Sequence, residues 1–423
     1  MSVAATTAPA SDVRPASAFW QYWTASVISQ MGSAVTKIAL PVLALVALNA
    51  SNFEVSLITV ASYAAIILIG LPAGVIADRL PLRALQVTMD LSRAALVASI
   101  AVAWWLGALT LAHVIAVAFI VGLASNIAFV ANASFLPAVV PKDQLTLRNG
   151  QLSATLSITQ LIGPAFGGLL VQAAGAAVST IVDAVSYVTS AVLLGRLRGT
   201  DQRRPARPQG SFVSQIAVGL RFVMRHPIIR PSILAASAVN FSNGAILAAT
   251  PPFVLRTLHL PASMVGVVMS LEAVGVFVAA LFTARLSARF GDARVILWAT
   301  AAGGAISVLM PLAFGGVVSV IVLYGVGSAG LAAGVTLLSV ITRTHRQVVS
   351  PPEVLSRVMA SVRFITWGAT PLGALAAGVA ATVWGPREGL VCGVVGALLA
   401  PVALLFSQVS KVRTLLDAEP AAH

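Results

Sequence analysis

Between residues 19 and 410 the sequence is a succession of twelve apolar runs separated by short polar breaks, at 19–48, 54–78, 82–107, 110–138, 145–173, 176–197, 231–257, 262–289, 292–315, 317–345, 354–384 and 388–410. About 20 apolar residues are enough for a helix to cross roughly 30 Å of hydrocarbon. Each run is long enough. With 58% hydrophobic and 9% charged residues and a mean hydropathy of +0.95, the 423-residue chain has too little polar surface to wet a soluble fold. In lipid the backbone must satisfy its own hydrogen bonds, so runs of this length are helices. The expected fold class is an all-α membrane protein with 12 transmembrane helices.

The formal charge of +13 would suggest nucleic acid in a soluble protein, but here the cations are one-sided. Of 26 Lys and Arg, only Arg256 and Arg387 fall at the loop ends of one side, and Lys37, Arg93 and Arg363 lie deep inside runs. The rest occupy the termini and the loops of the other side. The positive-inside rule then places both termini in the cytoplasm of a multi-pass cell-membrane protein. Residues 1–18 lack the basic start and apolar core of a signal peptide and read as a disordered cytoplasmic tail, and 411–423 as a second cytoplasmic tail. A single cysteine, Cys392, leaves no disulfide and no cysteine-based metal site.

Charge and proline at 198–211 divide the runs six and six, and 212–226 reads as an amphipathic surface helix. The expected organisation is a bundle over 19–197, a cytoplasmic linker over 198–230 and a second bundle over 231–410. The halves match at a displacement of 210 to 212: Gly32 with Gly244, Pro41 with Pro252, Arg79 with Arg289, Gly163 with Gly373, Gly168 with Gly378, Gly175 with Gly385. An even number of crossings per half makes this a parallel repeat about the membrane normal. Two such bundles enclose a space that can open to either side.

The loop at 70–85 reads "GLPAGVIADRLPLRAL". Its Gly74, Asp78, Arg79 and Arg83 resemble the G-x-L-A-D-R-x-G-R-[RK] loop of the major facilitator superfamily, with Pro81 and Leu82 departing from it; Arg289 is its counterpart in the second half. A carboxylate at a helix end with guanidiniums nearby can hold two helices together on one face and release them when partners change. The resemblance implies two pseudo-symmetric six-helix bundles and a gating role for Asp78, Arg79, Arg83 and Arg289. Residues Gly150, Gly163, Pro164, Gly167 and Gly168 resemble the fifth-span signature of drug and proton antiporters, with Thr159 in place of one glycine. That implies export, with a close glycine seam between the halves. The stretches "RNGQLSATLS" and 182–194 are similar to the branch holding macrolide-efflux and enterobactin-exporter proteins. The arginine common in the fourth span of proton-coupled relatives is missing from 110–138.

Charges inside a membrane cost about 2.5–3.5 kcal/mol each on insertion scales, so each calls for a role. Glu272 lies some ten residues into the eighth run, near mid-membrane, and is the first candidate for proton coupling; Asp183 is the second. Lys37 is the opposite charge expected to face Glu272. Asp90 and Arg93, three apart on one helix, read as a local structural pair. Candidate substrate contacts are Gln30, Lys37, Asn126, Asn240, Asn243, Arg363 and Trp367: amides, cations and one aromatic wall at middle depth. No catalytic constellation, phosphate loop or metal cluster occurs in the sequence, so neither an enzyme nor a cofactor is expected. The expected function is secondary export of amphipathic small molecules by a monomer in the bilayer, with protons as the coupling ion and no nucleic-acid partner. A natural-product or siderophore exporter is the alternative, ahead of a nutrient permease or a receptor that transports nothing.

Overall fold

The structure, a computed structural model, describes residues 16–70, 80–140, 144–197 and 220–418, and among these every regular element is helical. The first six crossings are α1 (Ala16–Val46), α2 (Asn52–Ile69), α3 (Leu82–Trp105), α4 (Leu111–Val139), α5 (Leu145–Ala174) and α6 (Ala176–Gly195). The second six are α7 (Ile229–Pro252), α8 (Ala262–Ser270) continued by α9 (Glu272–Phe290), α10 (Asp292–Ser307), α11 (Val317–Val349), α12 (Pro352–Val383) and α13 (Pro386–Leu405). The twelve-helix expectation holds, with two amendments. The eighth crossing is interrupted at Leu271, and the ninth is shorter than the run 292–315: α10 has 16 residues, about 24 Å at 1.5 Å per residue, and turns follow it at 308–312.

Local chemistry sets the boundaries. Ser51 closes a capping box on α2, its hydroxyl accepting from the Glu54 amide at 3.3 Å while its own amide donates to the Glu54 carboxylate at 2.7 Å. Gly175 (φ 84°) and Gly385 (φ 126°) make the tight turns after the fifth and eleventh crossings, where the left-handed backbone favours glycine. They are one of the sequence-related pairs.

The expected 1–18 tail and linker fall mostly on residues 1–15 and 198–219, outside the described residues; α1 begins at Ala16. Residues 220–225 are helical, and Val223 is buried with Ile229, Ile233, Val358 and Val362. The 411–418 stretch is docked: Val409 and Leu415 are buried, and the Ala293 amide donates to the Arg413 carbonyl at 3.2 Å.

The halves repeat one packing plan. α1 lies on α5 and α6 as α7 lies on α12 and α13, and α2 lies on α4 as α9 lies on α11. Between halves, α2 pairs with α12 and α5 with α8. The cores reveal how the halves are tilted. One buried cluster draws on both: Ile38, Val42 and Val171 pack with Phe253, Val265 and Leu390, at the end away from the termini. At the terminal end each half has its own core, Phe19, Tyr22, Leu85 and Phe135 in the first and Ile228, Ile296, Leu338 and Leu404 in the second. The α5 pairing belongs almost wholly to α8 and dwindles along α9. The halves therefore meet at the far end and diverge toward the end that carries the termini.

Candidate functional site

A one-residue interruption at Leu271, itself in helical geometry, makes Glu272 the first residue of α9. Protein surrounds Glu272, yet its side chain is exposed, so it lines an internal space rather than a packed core. Lys37, on α1 of the other half, is also exposed and is the charged group that acts on Glu272. Their charged atoms are not within ion-pair distance. Tyr324 from α11 stands close enough to feel Glu272 and shares a 2.5 Å hydrogen bond with Thr250.

Asp183 sits elsewhere, wholly buried between α6 and α1. Its carboxylate accepts from Thr36 on α1 and from Ser186. Beside it, Asp90 is paired with Arg93, accepts from Ser190 at 2.7 Å, and the guanidinium lies 4.3 Å from the Tyr187 ring centroid. Tyr187 closes the circuit with Ser33 on α1 at 2.8 Å. Arg93 is paired with Asp90 and feels the Asp183 charge nearby, and the network ties α1, α3 and α6. At the repeat displacement of 210 the second half has Thr300, Gly303, Gly393 and Ala397 in place of Asp90, Arg93, Asp183 and Tyr187. The ionic tie belongs to one half alone.

Three of the expected substrate contacts come together across the halves. Arg363 on α12 donates to the Asn126 side-chain oxygen on α4 at 3.3 Å, and its guanidinium stacks near Phe129 (4.4 Å) and Trp367 (5.1 Å). Asn240 instead spends its amide on the Ala236 carbonyl of its own helix, at 2.8 Å. Asn243 is exposed and Gln30 half-buried.

The fifth crossing runs as one helix through Gly163, Pro164, Gly167 and Gly168. The glycines do not share one neighbour. A Cβ on Gly163 or Gly167 would meet Ala34 or Val35 of α1, within the same half, whereas one on Gly168 would lie 2.8 Å from the Ser263 carbonyl and 3.0 Å from Gly266 on α8. Only Gly168, with the Pro164 carbonyl against Gly266, forms the seam between halves. Gly150 faces open space. Of the gating set, Asp78 and Arg79 lie outside the described residues. Arg83 donates to the carbonyls of Gly195 (3.4 Å) and Leu197 (3.0 Å), and Arg289 is exposed, its carbonyl accepting from Arg413.

Sequence reasoning missed the far-end latch. Arg256 reaches from the end of the seventh crossing to the Asn52 side chain (2.7 Å) and the Ala50 carbonyl (2.6 Å) in the first half. Asn52 donates in turn to the Ala381 carbonyl at 2.9 Å, and Gln172 accepts from the Ser263 amide at 3.1 Å. The available signal was that Arg256 is one of two cations on a side otherwise without them.

The chain from 6 to 423 matches the model of the transmembrane secretion effector family. It is 28% identical over 315 residues to the MFS-type transporter y4rN of Sinorhizobium fredii, covering 73% of this chain and 75% of that one. It is 28% identical over 215 residues to the multidrug efflux pump Tap of Mycobacterium tuberculosis, spanning about half of each (49% and 51%). The Mycolicibacterium fortuitum Tap matches at 24% over 395 residues, 90% of this chain and 93% of its own. In fold, the chain is similar to an inward-facing bacterial homologue of the iron transporter ferroportin (TM-score 0.73, 18% identity, 92% of this chain and 98% of that one). It is also similar to the nucleoside transporter NupG (0.76, 11%, 92% and 99%). With two matched six-helix halves, a shared far-end core and these relatives, the chain belongs to the transmembrane secretion effector family, in the drug-efflux branch of the major facilitator superfamily.

Proposed function

We propose that this membrane transporter is a secondary exporter of amphipathic small molecules that works by alternating access and is driven by proton antiport. The observation that carries the reading is Glu272: a carboxylate inside the membrane, lining the space between the halves, with Lys37 of the opposite half acting on it. Carboxylate and ammonium at this separation attract without locking, so a proton arriving at Glu272 releases the attraction between halves. Asp183 is the second proton-handling residue, on the buried network that Thr36 joins to α1. With the terminal side cytoplasmic, the divergence of the halves opens the space toward the cytoplasm, where an exporter loads. Gln30, Asn126, Asn240, Asn243, Arg363 and Trp367 then line the route or its walls. Asp78 and Arg79, with Arg83 and Arg289, serve the cytoplasmic gate. The names of the Tap relatives support drugs as substrates; a natural-product exporter uses the same geometry.

The test is transport in everted membrane vesicles under an imposed pH gradient. Glu272→Gln is expected to leave the protein folded and to lower gradient-driven drug accumulation at least tenfold. Unchanged drug–proton exchange in that variant removes Glu272 from the coupling.

A further inference from the structure

Three cations lie deep inside the membrane-crossing runs, away from their ends, and two of them have an acid to answer them. Arg93 is paired with Asp90, and Lys37 acts on Glu272. Arg363 has none: no described acid lies within ion-pair distance of it, and burial is the one influence that acts on its charge. A cation kept in the membrane interior at a cost of about 2.5–3.5 kcal/mol without a counter-ion is an opening for an anion from outside the protein.

The surroundings are shaped for one. Phe129 and Trp367 rings lie 4.4 and 5.1 Å from the guanidinium, holding it by its π faces. The N–H edge of a guanidinium is the part that grips a carboxylate in bidentate fashion. Asn126 accepts one of those N–H groups with its oxygen at 3.3 Å, and the same amide carries an NH2 group that is buried and without a partner. Asn126 is only 5% exposed, so this donor is an orphan in a packed site. Donors from two helices of opposite halves therefore converge, and among the described residues the Asn126 oxygen is the one acceptor they meet.

Building on the exporter reading, we propose that Arg363 and Asn126 form a subsite for the oxyanion, a carboxylate or its like, of an amphipathic aromatic substrate whose ring is received by Phe129 and Trp367. The substrate's anion would complete the bridge between α4 and α12 that Arg363 now makes by one hydrogen bond.

Three probes with one aromatic body separate the alternatives: 1-naphthylacetate, its neutral amide, and 2-(1-naphthyl)ethylamine. Calorimetry on the purified full-length protein is expected to show the acid binding at least tenfold tighter than the amide, and the amine weakest. Arg363→Gln should bring the acid to within twofold of the amide while leaving the amide's affinity unchanged, and Arg363→Lys should restore part of the preference. Asn126→Leu, which keeps the arginine, should weaken the acid selectively. Wild-type protein that binds acid and amide alike, or does not bind the acid, overturns the subsite; so does an equal loss for all three probes in Arg363→Gln, which is the mark of a purely structural latch. Proteoliposomes under a pH gradient test the underlying reading separately. Tenfold acid preference in binding with no gradient-driven accumulation leaves the subsite standing and overturns the exporter. Accumulation of the probes without acid preference does the reverse.

Discussion

His226 carries its charge state in its geometry. Its Nδ1 accepts from the amides of both Ile228 and Ile229 at 3.2 Å, capping the start of α7, and this requires a bare ring nitrogen. Burial holds its pKa below the ordinary imidazole value, in the same sense, and the His345 ring stands edge-on at 5.9 Å. The folded state thus takes up this proton less readily than the unfolded chain. The cap's contribution is full above the unfolded imidazole value of about 6.5 and is lost as the pH falls below it. Thermal melts at pH 7.5 and 5.5 should show the wild type losing about 1 kcal/mol, the size of a helix cap, relative to His226→Asn, which accepts without titrating. Parallel melting of the two proteins at both pH values would remove the cap from the account. Single residues were also where the sequence was hardest to read. The expense of Arg363 was visible, but its ring partner Phe129 stands 234 positions away (363 − 129) and only the folded chain brings them together. Asn240, equally polar, turned out to bond its own helix.

The twelve crossings were legible because hydrophobic length is a property of the element itself. The inner structure of the elements was not. Gly167 and Gly168 are neighbours in sequence, but one step turns an α-helix by about 100°, which is enough to send one to α1 and the other to α8. The sequence pattern marked both for the seam; the helix gives the seam to one. Gly168→Val should therefore lower transport at least tenfold, because the new Cβ meets backbone that cannot swing away, while Gly150→Ala, with nothing within 4 Å, should leave transport unchanged. Equal losses in vesicle assays of the two variants would mean that the glycines act through something other than helix approach. The break at Leu271 had no glycine or proline to announce it, so the placement of Glu272 at a helix start could not be read beforehand.

At the scale of the molecule, the shared core and the latch of Arg256, Asn52 and Gln172 favour one of the two states that alternating access requires. A hydrogen bond to a charged group contributes about 1.5–3 kcal/mol, and 1.4 kcal/mol is tenfold in an equilibrium. Arg256→Ala should shift the population about tenfold or more toward the form open at the far end. In a Cys392→Ser background, cross-linking between Gln172→Cys and Ser263→Cys should fall accordingly, and an undiminished yield would show that the apolar core alone keeps that end shut. The fold class and the repeat were legible because they rest on pattern and displacement. The direction in which the halves diverge was not, because it is set by which apolar surfaces pair between halves, and that pairing exists only in the folded chain.

The ionic tie of Asp90, Arg93, Asp183 and Tyr187 has a last consequence. Its counterparts in the second half are small, so two copies of one architecture are fastened differently: the first adds buried charge to close helix contacts such as Gly122 against Ser62, while the second at these positions has backbones pressed close, as where Gly303 and Gly334 meet. Neutralising Asp90 or Asp183 should therefore loosen the first bundle and leave the second untouched.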